Sequence, residues 1–248
     1  MSLTIEPGQF VAVVGRSGAG KTTLLRCLSR SIVATEGTVR FDGTDLAPLT
    51  SASLRAHRAG VGVIYQQFNL VKRLRVLDNV LVGRLAHQHG WARVAALVRR
   101  FGRRDRDIAL RCLDHVGLLA RAWQRTDTLS GGEQQRVAIA KILAQAPRLI
   151  LGDEPVASLD VANGAMVMAM LRRVAAETGL TVVATLHHVD YARTYADRVL
   201  GLRAGRLVFD GPAASLSETA LHSIFGEALP AAPLREAPGL AQPELVAG

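Results

Sequence analysis

The stretch Gly15-Arg16-Ser17-Gly18-Ala19-Gly20-Lys21-Thr22-Thr23 decides how the rest of this chain is read. Ahead of it, Phe10-Val11-Ala12-Val13-Val14 is an unbroken apolar run, as expected of a strand buried on both faces. Behind it, Leu24-Leu25-Arg26-Cys27-Leu28 reads as a helix. A strand, a glycine-rich loop and a helix opening on Lys-Thr make the phosphate-binding pattern G-x-x-x-x-G-K-[ST]. Gly15, Gly18 and Gly20 have no Cβ, so the loop can turn tightly and aim its backbone N–H groups at phosphate oxygens. Lys21 brings positive charge to the β- and γ-phosphates, and the Thr22 hydroxyl suits Mg²⁺. The helix adds its positive dipole end. A nucleoside triphosphate site is implied.

The composition is compatible with that reading and narrows it. With 49% hydrophobic residues over 248 positions, the chain can build one large core or a core with an inserted subdomain. No apolar run approaches the roughly 20 residues of a membrane span. The first residues lack the basic-then-apolar pattern of a secretory signal. Cys27 and Cys112 are too few for a disulfide framework or a four-cysteine zinc site, and a reducing compartment is the simplest match. The formal charge of +9 would suit a nucleic acid or an anionic membrane, yet it is largely arginine, lysine standing only at Lys21, Lys72 and Lys141. A basic cluster (Arg93, Arg99, Arg100, Arg103, Arg104, Arg106 and Arg111, broken by Asp105 and Asp107) has no aromatic platform beside it. A solvated helix face or a loop near lipid headgroups explains it as well as a nucleic acid does.

Along the chain, residues 1–9 look like the tail of a strand and a turn. Residues 38–41 suggest a short strand, residues 61–65 an apolar one ending at Gln66-Gln67. From 68 to about 128 the period turns helical, and strand-like runs resume at 149–151 and 181–186. Residues 199–202 and 206–209 flank Ala204-Gly205 as a hairpin. Alternating strands and helices argue for an α/β fold with a mostly parallel sheet. Ligands of such sheets sit at the carboxyl ends of the strands. Four apolar strands here end in polar residues: the phosphate loop, Gln66, Asp153-Glu154 and His187. They are expected to meet along one edge.

Each of these has a plainer reading. Asp153 suits the outer shell of Mg²⁺, and Glu154 is placed to polarise an attacking water; a lone Asp-Glu pair would be a solvated loop. Ser130, Gly131, Gly132 and Glu133 fit a capping box that merely starts a helix, and the same glycine amides at a helix start bind phosphate. Ser158-Leu159-Asp160 alone is a turn and a cap. His187 competes with His188 for a place near the γ-phosphate, and Gln66 competes with Gln67 for the metal, one residue of register deciding between them.

In this order the motifs resemble the nucleotide-binding subunit of ABC transporters over residues 1–226. Residues 129–133 are similar to that family's signature, Gln66 to its Q-loop, residues 158–160 to its D-loop and His187 to its switch histidine. Finer likeness to phosphonate-import ATPases lies in Phe68-Asn69-Leu70-Val71, Leu77-Asp78-Asn79-Val80-Leu81, Gln124-Arg125, Pro155-Val156-Ala157, Leu186-His187-His188-Val189-Asp190 and Val208-Phe209-Asp210-Gly211.

The resemblance implies a P-loop NTPase (RecA-like) core in two parts, 1–66 and 131–226. A helical subdomain at 67–130 would separate them, and a disordered tail would follow at 227–248. It implies ATP and Mg²⁺, with Gly15, Arg16, Ser17, Gly18, Ala19, Gly20, Lys21, Thr22, Thr23, Gln66, Ser130, Gly131, Gly132 and Asp160 on the nucleotide. Thr22, Gln66 and Asp153 would serve the metal, and Glu154 and His187 catalysis. It also implies a head-to-tail homodimer in which Ser130 and Gly132 of one subunit close over the ATP of the other. The dimer would sit on the cytoplasmic face of the cell membrane against permease subunits, coupled through residues 66–85, with a solute-binding protein engaged indirectly and no nucleic acid.

Rival readings are a soluble ABC-type accessory ATPase of a phosphonate-degrading complex, an importer ATPase for another solute, and an ABC ATPase acting on DNA or ribosomes. The helical block lacks the long heptad run of a DNA-repair ATPase. Three departures from the family pattern stand out. Gly152 occupies a usual alanine position, and Val161 follows Asp160 where proline is common. The family's strands ahead of the phosphate loop, with their adenine-stacking aromatic, have no counterpart, so Met1 is expected to be an internal position of a longer protein. Losing a stacking interaction of about 1–3 kcal/mol would weaken ATP binding about 5- to 150-fold.

Overall fold

Residues 1–88 and 101–226 are described by the computed structural model. The first strand, β1 (Phe10–Val14), is buried along its whole length. Its alternate residues serve two different cores, as the two-residue period of a strand requires. Phe10, Ala12 and Val14 face one layer together with Ile64, Ile150, Val182, Ala184 and Val199. Val11 and Val13 face the other with Val61, Leu149, Leu151, Val183 and Leu200.

Around β1 stand β4 (Val61–Ile64), β5 (Leu149–Asp153), β6 (Thr181–Thr185), β7 (Arg198–Arg203) and β8 (Arg206–Pro212), in the order β4-β5-β6-β1-β7-β8. All neighbours are parallel except the β7–β8 hairpin. Its turn is Ala204-Gly205, both with positive φ (49° and 76°), the geometry a two-residue hairpin favours. The remaining strands, β2 (Arg40–Phe41) and β3 (Thr44–Asp45), form a separate two-stranded ribbon.

One face of the sheet carries α1 (Lys21–Leu28) and α2 (Ser51–Gly60). The thicker layer carries α5 (Gly131–Ala144), α6 (Val161–Thr178), α7 (Val189–Tyr195) and α8 (Glu218–Phe225). Beyond them, α3 (Val76–Val82) and α4 (Arg103–His115) pack on α5 and on each other. Arg84 ties this block together: its Nε donates to Asp105 Oδ1 at 2.9 Å and its Nη1 to the Ala144 carbonyl at 2.8 Å. Among the described residues no helix is long and apolar enough to cross a membrane.

Several sequence expectations need correction. Residues 1–9 form no strand; Arg198 Nη1 reaches the Thr4 carbonyl, the Gly8 N–H the Thr181 hydroxyl, and the Val182 N–H the Gln9 carbonyl. Of 38–41 only Arg40–Phe41 pairs, and β4 stops at Ile64, leaving Tyr65 47% exposed. The solvated helix face holds for Arg103, Arg104, Arg106 and Arg111, which are exposed on α4, while Asp105 among them is held by Arg84 and Gln88. Arg93, Arg99, Arg100 and the expected tail at 227–248 lie outside the described residues.

Candidate active site

The strand order sets the four polar strand ends side by side: Gln66 after β4, Asp153-Glu154 at β5, His187 after β6 and the phosphate loop after β1. Register tightens this, since Thr185 of β6 lies opposite both Asp153 of β5 and Val13 of β1. The polar ends therefore share one level of one edge.

The loop itself is fixed from behind. A Cβ on Gly15 would stand 2.2 Å from the Leu202 carbonyl oxygen, so β7 admits only glycine at the loop's first turn. The Gly205 N–H donates to the Ala19 carbonyl at 3.1 Å, so the β7–β8 turn also braces it. Arg16, Ser17, Gly18 and Thr23 are exposed, while Ala19 and Lys21 are buried. Lys21 Nζ donates to the carbonyls of Gly15 (2.7 Å) and Arg16 (3.1 Å), folding the side chain over the loop it follows. Burial lowers the pKa of its ammonium, and the Glu154 and Asp153 carboxylates pull it back up.

Two hydroxyls converge on Asp153: Thr22 Oγ1 lies 3.1 Å and Thr185 Oγ1 3.2 Å from its Oδ1. Thr22 and Asp153 are hard oxygen donors, and no group of three or more His, Cys, Asp or Glu among the described residues forms a protein cage for a metal. That donor set fits Mg²⁺, which takes one or two protein ligands and completes its shell with phosphate and water. Next along the chain, His187 Nε2 is 2.5 Å from Glu154 Oε1. An ionised carboxylate only accepts, so Nε2 carries the proton and donates. The competing His188 instead packs edge-on against Tyr191, the ring centroids 5.7 Å apart.

Glu154 sits in the left-handed region at φ 54°, which is uncommon for a side chain of its size. Its N–H is held by the Thr185 hydroxyl at 2.9 Å. Thr185, fully buried, thus holds the Asp153 carboxylate and the Glu154 backbone together, and nothing in its apolar strand marked it in the sequence.

Among the described residues, the remaining candidates make no hydrogen bond to these side chains. Gln66 and Gln67 are both exposed. Ser130 starts α5 with a full capping box: its N–H and hydroxyl both reach Glu133 Oε2 at 2.9 Å, and the Glu133 N–H returns to Ser130 Oγ at 3.3 Å. Gly131 is exposed and Gly132 buried; a Cβ on Gly132 would come within 2.6 Å of Asn163 Oδ1. Asp160 caps α6, accepting from the N–H of Asn163 at 3.0 Å and from its side-chain amide at 2.6 Å.

A phosphate loop on a parallel sheet, two carboxylates and a histidine at neighbouring strand ends, and a capped Ser-Gly-Gly helix are the features of an ATP-binding cassette. Residues 1–157 match the ABC transporter family, and the chain belongs to that family. It is 46% identical to phosphonates import ATP-binding protein PhnC 3 of Halalkalibacterium halodurans over 226 residues, 91% of this chain and 86% of that one. It is 49% identical to phosphonates import ATP-binding protein PhnC 2 of Rhodopseudomonas palustris over 224 residues, 90% of this chain and 82% of that one. Among solved structures it resembles the dimeric post-hydrolysis state of the ATP-binding cassette MJ0796 bound to ADP and Pi. There the TM-score is 0.72 and the identity 34%, covering 85% of this chain and 88% of that one.

Proposed function

We propose that this chain is the ATP-hydrolysing subunit of an ABC importer, powering uptake of phosphonates or related phosphorus oxyanions through membrane permease subunits. The observation that carries the substrate class is identity of 46–49% across nine-tenths of the chain to proteins named for phosphonate import. Hydrolysis is supported by the bonded row Thr22–Asp153–Thr185–Glu154–His187 beside the buried Lys21.

In this reading residues 15–23 hold the polyphosphate, with Lys21 turning from its loop carbonyls to the β- and γ-phosphates. Glu154 takes the proton of the water that attacks the γ-phosphorus, and His187 holds that carboxylate in place. Thr22, Asp153 and Gln66 would hold Mg²⁺, which when bound offsets the negative charge of the phosphates. Ser130, Gly131, Gly132 and Asp160 would serve the ATP of a second copy in a head-to-tail dimer, since their own bonds keep them at the start of α5 and α6. The core parts 1–66 and 131–226 would carry ATP, the helical part 67–130 would separate them, and residues 66–85 would couple to the permease on the cytoplasmic membrane face. A solute-binding protein would engage indirectly.

The test is uptake of a labelled phosphonate in a strain deleted for this chain and complemented with wild type or Glu154→Gln. Only wild type is expected to restore uptake, while purified Glu154→Gln binds ATP normally and loses about 10²–10⁴-fold in turnover. Uptake unchanged by the deletion, with no second importer in the strain, would remove the substrate assignment. Near-normal hydrolysis by the variant would reassign the base.

A further inference from the structure

The left-handed turn at Glu154 is held at three points. Its N–H donates to Thr185 Oγ1, and its carbonyl accepts from the Ala157 N–H at 3.2 Å. The next carbonyl, that of Pro155, accepts a bond from the Gln135 side-chain amide. Gln135 is 1% exposed and lies on α5, five residues after Ser130. A carbonyl can only accept, so the Gln135 nitrogen faces Pro155, and its oxygen Oε1 is left buried with no partner among the described residues. An orphaned buried acceptor is costly, and a methionine of similar shape would fill the space without one. What the amide adds over packing is the donor to Pro155.

We propose that Gln135 is a positioning residue for Glu154, fixing through the Pro155 carbonyl the turn that aims the catalytic carboxylate. Residues strained into sparsely populated backbone regions persist where their surroundings over-determine them. Thr185 holds the turn from the sheet side and Gln135 from the helix side. The helix that supplies the second hold is the one that opens on Ser130-Gly131-Gly132. Its first turn is also seated on this loop's far end, where Gly132 abuts Asn163 and Asn163 is bonded to Asp160. The base of one site and the Ser-Gly-Gly end offered to another thus share a rigid connection within each subunit.

This rests on Glu154 being the base. The experiment is Mg-ATP hydrolysis and nucleotide binding by the purified full chain, comparing wild type, Gln135→Met, Glu154→Gln and the double variant. Gln135→Met is expected to lower kcat about tenfold or more with KM and nucleotide affinity within twofold, and to add nothing in the Glu154→Gln background. An unchanged kcat, a loss appearing in KM, or losses that multiply in the double variant would overturn the inference. Gln135→Glu gives a second readout should the methionine variant fold poorly. Burial raises the pKa of such a carboxyl, and its protonated form regains an O–H donor toward Pro155. Its turnover relative to wild type should climb as pH is lowered from 8.5 to 6, and a flat ratio counts against the role. If Glu154→Gln itself hydrolyses normally, the assignment of the base has failed first, and that outcome is distinct from both.

Discussion

Two helices of this protein begin in opposite ways. At the start of α1 the preceding residue is Gly20, left-handed at φ 100°, and no side chain caps the helix. At the start of α5, Ser130 and Glu133 bond each other's backbone in a complete capping box. The first amides of any helix lack internal partners and must find others. In α1 they are left for a ligand, and a buried lysine sits beside them. In α5 the chain meets part of that need by itself, so its start is stable whether or not phosphate is present. One start depends on partners from outside the helix, and the other closes on itself.

The largest effect should come from breaking the first end. Lys21→Met removes the buried ammonium folded over the phosphate loop and should weaken ATP binding by about 2–5 kcal/mol, 30-fold or more, as measured by nucleotide titration. An affinity within threefold of wild type would show that the amides of α1 suffice alone. A smaller effect, on stability, belongs to the second end. Ser130→Ala without nucleotide should cost about 1 kcal/mol, lowering Tm by about 2–4 °C. An unchanged Tm would mean the box contributes nothing and the two starts are alike.

The smallest difference appears in acid. The Ser130 backbone N–H holds the Glu133 carboxyl below its ordinary pKa, against the opposing effect of burial, with help from the Ser130 hydroxyl and the Arg121 guanidinium. A carboxyl depressed in the fold stabilises it above the unfolded pKa of about 4.3, and that contribution fades as pH falls through the folded value. The Tm gap between wild type and Glu133→Gln should therefore be full at pH 7 and close toward pH 3. A gap independent of pH would assign the Glu133 contribution to shape instead of charge.

What could be read from sequence divides along the same physical line. The phosphate loop and the strand ends were legible because doubly buried strands run apolar and then stop, and Asp153, Glu154 and His187 stand where they stop. The strand-end position favoured His187 over His188 in the sequence, but its bond to Glu154, which joins residues 33 apart, was not legible there. Thr185 and Gln135 were not legible: one is a polar residue inside an apolar strand, the other one glutamine among neighbours, and only tertiary contact singles them out. The strand expected in residues 1–9 is absent: Thr4 and Gly8 meet β7 and β6 through side-chain bonds, and backbone pairing of that segment with the sheet is limited to the Gln9 carbonyl among the described residues.

The bracing of the phosphate loop by β7 and its turn carries a consequence for synthesis. Both sheet neighbours of β1, which are β6 and β7, and the Leu202 and Gly205 backbone that seats Gly15 and Ala19, come from the last third of the chain. A ribosome adding roughly 5–20 residues per second leaves the finished motif without its support for on the order of 10–40 s. Until then the nascent chain holds a nucleotide-binding sequence but no nucleotide-binding shape. Fragments that end before β7 should be blind to ATP, and the earliest-made part of the site is the last to become functional.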